Sequence, residues 1–275
     1  MIQDKLTEGT LKASYGKKLF AFFKRFVMYL KDEKVIDFTP PWLERHDDKY
    51  TFKIPTTEPK ILPLDVVRKI LKMAPPRVRL SMLLILNCGF GSSEIGRLKT
   101  SEYDPVKGTI THKRIKTKEH GNVPKVTYRL WGRTKESLDQ QLELQKSYPQ
   151  YSEHREYLLL NENGNPLWSE RIEGKHKKND NITCQFKRYI GKLQKTEKNL
   201  PKCTFYMFRR TSGTLVFNSE KYSHLDWLFL GHAPNTTARQ HYTVALEGIL
   251  DQCLAWLEWK IFHEHEATNP GQSNW

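Results

Sequence analysis

Between Thr10 and Ile36 apolar side chains return at helical spacing, at Leu11, Tyr15, Leu19, Phe22, Phe23, Phe26, Val27 and Leu30, with lysines on the other side. One amphipathic helix is predicted there, and its aromatic face is too large to stand alone. Pro40 and Pro41 end it, and the stretch to Pro63 adds Pro55 and Pro59 among many charges, the composition of a linker over residues 39–63. Beyond it, Leu64–Met73 and Val78–Cys88 read as helices, the second apolar nearly all round and so central to a core. Ser92 or Ser93 can cap a short helix from Glu94 to Leu98.

The pattern then changes. Thr109–Lys116 and Val123–Leu130 read as two strands about a Gly121-Asn122 turn. Helical spacing resumes over Lys135–Lys146, Ile182–Leu193, Phe205–Phe217, His224–Leu230 and Thr236–Tyr242, while Tyr157–Leu160 suggests a minor strand. Leu246, Ile249, Leu250, Cys253, Leu254, Leu257 and Ile261 form a last stripe, which must meet a core or a partner. The predicted fold class is mainly α with a small antiparallel β-sheet.

Length and charge narrow the class of function. A chain of 275 residues can bury a sizeable core as one large domain with a small appendage. Lys and Arg outnumber Asp and Glu by 45 to 31, a formal charge of +14 that suits a partner rich in phosphate. The longest apolar run, Met82–Leu86, is far too short to span a membrane, so a soluble, cytoplasmic protein is expected. Cys88, Cys184, Cys203 and Cys253 stand far apart, and His263 and His265 lack a third ligand, so neither a disulfide framework nor a metal site nor another cofactor is expected. Basic residues crowd the hairpin: Lys113, Arg114, Lys116, Lys118, Lys125 and Arg129.

Three segments carry candidate chemistry: Phe205-Tyr-Met-Phe-Arg-Arg-Thr211, Leu230-Gly-His-Ala-Pro-Asn-Thr-Thr237 and Arg239-Gln-His-Tyr-Thr243. Their order and spacing resemble the tyrosine recombinase (phage integrase) family, whose second box reads H-x-x-R-H-T and whose third reads L-G-H before a tyrosine. Upstream, Gly89, Ser93 and Glu94 match the first box, T-G-L-R-x-S-E-L. The resemblance implies the catalytic fold of that family over residues 64–275, with residues 1–38 as part of its helical core-binding domain. It places Tyr242 as the nucleophile, Arg209 and His232 on the scissile phosphate, Tyr206 in the second-box histidine position, and Lys116, with Lys118 the alternative, as general acid. Arg114, Lys113, Lys118, Arg210 and Arg239 are expected to hold DNA.

The chemistry is coherent. A phenol with a pKa of about 10 attacks a phosphodiester only when the phosphate charge is neutralised and the oxygen lies in line. A guanidinium does the first with two hydrogen bonds, a histidine donates another, and a lysine protonates the departing 5′-oxygen. No metal or ATP is needed. The expected partner is double-stranded DNA, engaged by a self-associating tetramer with the last helix as one candidate contact.

Gly91 stands where the family has its first-box arginine, and Arg79, Arg97 and Arg210 are the candidates to compensate. Glu94 is expected to hydrogen-bond near the site rather than to carry protons. Two other readings stay open on the sequence: a degenerate homologue that binds DNA without cutting it, and a truncated mobile-element relic.

Overall fold

A computed structural model of the chain describes residues 12–38, 60–114, 123–173, 175–233 and 248–264. The chain divides into two units, Met1–Pro59 and Lys60–Trp275.

In the first unit helix α1, Ala13–Asp32, leaves Phe22 66% and Tyr29 56% exposed. It ends four residues short of the expected Ile36. Lys34 adopts φ 56° and the Val35 N–H reaches back to the Leu30 carbonyl at 2.8 Å, a left-handed cap that closes the helix.

The second unit is built around α3, Pro76–Cys88, in which every residue from Leu80 to Cys88 is buried. Pro76 supplies a fixed φ where a helix needs no N–H. Around α3 pack α2 (Leu64–Met73), α5 (Gly132–Gln145), α7 (Asn181–Thr196) and α8 (Phe205–Phe217). Short helices α4 (Ser92–Ile95), α6 (Tyr151–His154) and α9 (Asp226–Phe229) join them. The residues just before α2 also belong to this unit: Leu62 is 2% exposed and its N–H donates to Thr211 Oγ1 at 2.9 Å. One polar residue of α3 has a structural task. Asn87, fully buried, donates to the Arg129 carbonyl and accepts from the Trp131 N–H, pinning the helix to the end of the sheet.

The sheet is antiparallel, in the order β1 (Tyr103–Asp104), β2 (Thr109–Lys113), β3 (Lys125–Arg129). Its register sets Ile110 against Tyr128 and Lys113 against Lys125. Val126 and Tyr128 point inward on β3 while Lys125, Thr127 and Arg129 face out, the alternation of a half-buried strand. Tyr157–Leu160 makes only single bridges, Lys99 to Tyr157 and Leu160 to Pro166. A second hairpin, β4 (Trp168–Glu173) with β5 (Lys175–Asp180), is not foreshadowed by the hydrophobic pattern, because Glu170-Arg-Ile-Glu and Lys175-His-Lys-Lys put charge on both faces. Its last residue, Asp180, caps α7 through the Thr183 N–H at 2.9 Å.

The C-terminal stripe forms α10, Ile249–Phe262, which packs on β3, α8, α2 and α3 of its own chain. Cys253, Leu257 and Ile261 are completely buried, and Trp131 Nε1 donates to the Leu254 carbonyl at 2.8 Å. The described part of the apolar stripe is therefore packed in cis, while Trp259 on the same helix stays 46% exposed. Among the described residues no helix is long and apolar enough to cross a membrane, and no cluster of three His, Cys, Asp or Glu is placed to hold a metal ion.

Candidate active site

The site begins at the C-terminus of α3. Gly89 caps that helix at φ +63°, and a Cβ built there would lie 3.0 Å from the Phe229 carbonyl oxygen, so backbone conformation and close approach both require glycine. The turn exposes the Gly89 carbonyl to Arg209, which projects from α8 and is 4% exposed. Arg209 Nη1 donates to that carbonyl and, at 2.9 Å, to Glu94 Oε2, while Nη2 donates to the Leu230 carbonyl at 3.0 Å. Three acceptors from three segments fix the guanidinium plane. Among the described residues, Nε and one Nη2 proton take no part in these bonds.

Glu94 organises the other side. It is 6% exposed, and Oε2 also accepts the Gly91 N–H at 2.6 Å. Gly91 thereby becomes the N-cap of α4, and the helix runs from Ser92 to Ile95 instead of the expected Glu94 to Leu98. The second carboxylate oxygen, Oε1, lies 3.3 Å from Arg114 Nε at the end of β2.

After α9 the chain turns through Gly231 at φ +61°, and the His232 N–H donates to the Trp227 carbonyl at 2.7 Å. Tyr128 steadies this turn. Its phenol is buried and donates to the Phe229 carbonyl at 3.2 Å, and burial raises its pKa well above that of a free phenol. The His232 imidazole is pushed down to about 4 by burial first, then by the Arg114 and Arg209 charges. It is therefore neutral at pH 7, with one N–H to donate.

Residues 60–247 match the model of the phage integrase family. The chain belongs to the phage integrase family. Among solved structures, the Tn1549 transposon integrase in complex with transposon right-end DNA superposes with a TM-score of 0.63 at 15% identity, covering 94% of this chain and 82% of that one. A lambda integrase dimer bound to a core site gives 0.58 at 18% identity, covering 88% and 77%. These likenesses show the tyrosine recombinase fold. Among curated protein sequences none matches closely enough to count as a relative. The function class of this integrase-family chain is that of a site-specific recombinase.

Arg209, Glu94, Gly91 and His232, picked out from three separated boxes, come together in the fold. Tyr206, three residues before Arg209, is 52% exposed and carries Arg210 over its ring at 5.2 Å. Lys113 pairs in register with Lys125 and lines a groove with Arg97, Lys99 and Trp168. Tyr242, Lys116, Lys118, Arg239 and the expected Thr236–Tyr242 helix lie outside the described residues.

Of the three arginines expected to compensate for Gly91, Arg79 and Arg97 are engaged elsewhere, and Arg210 is drawn to the ring of Tyr206. Arg79 donates to the carbonyls of Leu71, Lys72 and Ala74, Arg97 pairs with Glu170 and stacks 3.6 Å from the Trp168 ring centre, and Arg210 lies over Tyr206. Sequence reasoning also gave no task to Tyr128, although its inward place in the β3 alternation marks it as buried, and a buried phenol needs a partner.

The depressed imidazole has a consequence for stability. An unfolded histidine titrates near 6.5 and folded His232 near 4, so between these values the unfolded chain binds the extra proton. Stability from this group is complete above about pH 6.5 and is lost as pH falls toward 4. His232→Asn should flatten the pH dependence of the urea midpoint in that window relative to wild type; parallel curves would contradict the shift.

Proposed function

We propose that this chain cuts and rejoins duplex DNA through Tyr242. The phenol oxygen gives up its proton to solvent and bonds to a backbone phosphorus as the bond to the 5′-oxygen breaks, leaving a 3′-phosphotyrosyl link. The reverse attack by a 5′-hydroxyl of a second DNA restores a phosphodiester, and the phosphoester linkage conserves the energy for it. The observation that carries this reading is the fixed guanidinium of Arg209 beside a neutral His232: a cation oriented by three acceptors, and an N–H donor that is not repelled as a second cation. Arg209 neutralises the phosphate, His232 donates to a non-bridging oxygen, and Lys116, or Lys118, protonates the departing 5′-oxygen. Tyr206 offers a phenol to the same phosphate. Lys113, Arg210 and Arg239 contact flanking phosphates, and residues 1–38 act as part of a second clamp on the duplex. Strand exchange between two sites calls for a tetramer on DNA, in the compartment that holds that DNA. The DNA-bound states of the Tn1549 and lambda integrases support duplex DNA as partner.

Covalent capture tests the proposal. A pool of duplexes randomised around a nick, from which a short fragment diffuses away after cleavage, should give a detergent-stable adduct with wild type and none with Tyr242→Phe, while both bind intact duplex more weakly as salt rises. Binding without any adduct would leave a protein that occupies DNA and does not cut it.

A further inference from the structure

Two guanidiniums share one carboxylate in this site. Arg209 Nη1 takes Glu94 Oε2 at 2.9 Å, and Arg114 Nε stands 3.3 Å from Glu94 Oε1. Arg114 directly follows β2, Arg209 comes from α8 and Glu94 from α4, so three parts of the fold meet at one charge cluster. Gly91 brings no side chain to the same corner. Among the described residues, the one atom within 4 Å of a Cβ built on Gly91 is Glu94 Oε2, at 3.3 Å. A Cβ on Gly231, the residue before His232, would lie 3.6 Å from Arg114 Cβ. Arg114 thus stands between the carboxylate and the histidine turn.

The charges do not balance. Arg114 and Arg209 carry two positive charges against one carboxylate, with His232 neutral. The surplus sits in a partly dry place, since the Arg114 side chain is 18% exposed and Glu94 and Arg209 are buried. Burial, and next the charge of Arg209, lower the pKa of Arg114, a sign that its cation is held at a cost. An added anion would offset that cost. Among the described residues neither Nη of Arg114 has a hydrogen-bond partner, and Nε approaches Glu94 without hydrogen-bond alignment. Among the described residues, then, nothing competes with an oxyanion for the two Nη atoms.

We propose that Arg114 is a second guanidinium on the scissile phosphate, entering from the end of β2 to do what no side chain at position 91 can. The assignment rests on the strand-transfer reading above. It takes Arg114 from a flanking DNA contact to a catalytic residue, one that binds the phosphoryl oxygens together with Arg209 while Glu94 holds both cations apart and in orientation.

The test uses the full-length chain and the duplex sequence that wild type enriches from the nicked pool. Arg114→Ala should slow covalent adduct formation about 100-fold or more, with binding of intact duplex changed less than about threefold. Arg114→Lys should recover part of the rate, because an ammonium neutralises charge but cannot grip two oxygens. The decisive arm remakes the duplex with one methylphosphonate at the scissile position, a linkage without the negative charge. There the loss from Arg114→Ala should shrink to less than about tenfold, since there is no phosphate charge left to neutralise. A defect of the same size on both substrates means that Arg114 only supports the fold, and cleavage by Arg114→Ala within threefold of wild type overturns the proposal outright. Either result leaves the strand-transfer reading standing. If wild type forms no adduct with any member of the pool, that reading falls and this one with it.

Discussion

Arg209→Ala should lower the rate of covalent capture about a thousandfold, the upper end of what one charge-stabilising donor contributes, and should also unfold the second unit far more easily. The two effects share a cause. Arg209 is 4% exposed and satisfies the Gly89 and Leu230 carbonyls together with the Glu94 carboxylate. Removing it leaves a buried carboxylate with one cation fewer, and breaking such a pair costs about 3–5 kcal/mol. Arg209→Lys should fare little better in activity, because one ammonium cannot span three acceptors and still face a phosphate. Urea unfolding followed by tryptophan fluorescence reports chiefly on this unit, which holds every tryptophan of the chain except Trp42. A midpoint for Arg209→Ala equal to wild type would refute the buried cluster as described.

Glu94→Gln is the second large effect, and its size depends on what else is in solution. The amide keeps the size of the side chain and one acceptor, but it withdraws the negative charge between Arg114 and Arg209. Two facing cations then repel across a partly dry gap, a loss of about 3 kcal/mol. Sulfate, a doubly charged oxyanion, should restore more of this loss than chloride at equal ionic strength, and should restore more in the variant than in wild type. The Glu94→Gln, Arg114→Ala double variant should be less destabilised than the sum of the single changes, because removing one cation relieves the repulsion that the first change created. Additive losses, or a sulfate response equal to that of wild type, would show that Glu94 does not mediate between the two arginines.

Much of this arrangement is legible in the sequence, for physical reasons that differ by residue. Leu64–Met73 and Phe205–Phe217 appear in the structure with the expected bounds, because strong apolar periodicity and clear breakers define them. Arg209, His232 and Glu94 could be named because their boxes have fixed spacing and sit at helix starts and turns. The partner of Arg209 across the carboxylate is a different kind of fact. That Arg114 reaches Glu94 depends on where β2 ends and on how the sheet register sets Thr109 against Arg129 and Lys113 against Lys125. No spacing along the chain encodes that distance. Arg97, six residues from Gly91, looked nearer but is drawn away by Trp168 and Glu170, residues of a hairpin whose charged strands hide its periodicity. Tyr242, Lys116, Lys118 and Arg239 lie outside the described residues.

Tyr128 joins parts that the sequence keeps a hundred residues apart. Its backbone belongs to β3, the return strand of the hairpin, and its phenol is bonded to the Phe229 carbonyl just before the turn that carries His232. The strand and the turn are therefore tied side chain to backbone. On the proposed strand-transfer reading, a load that the duplex places on this strand would reach the turn before His232 through that one phenol, so Tyr128→Phe would uncouple the two.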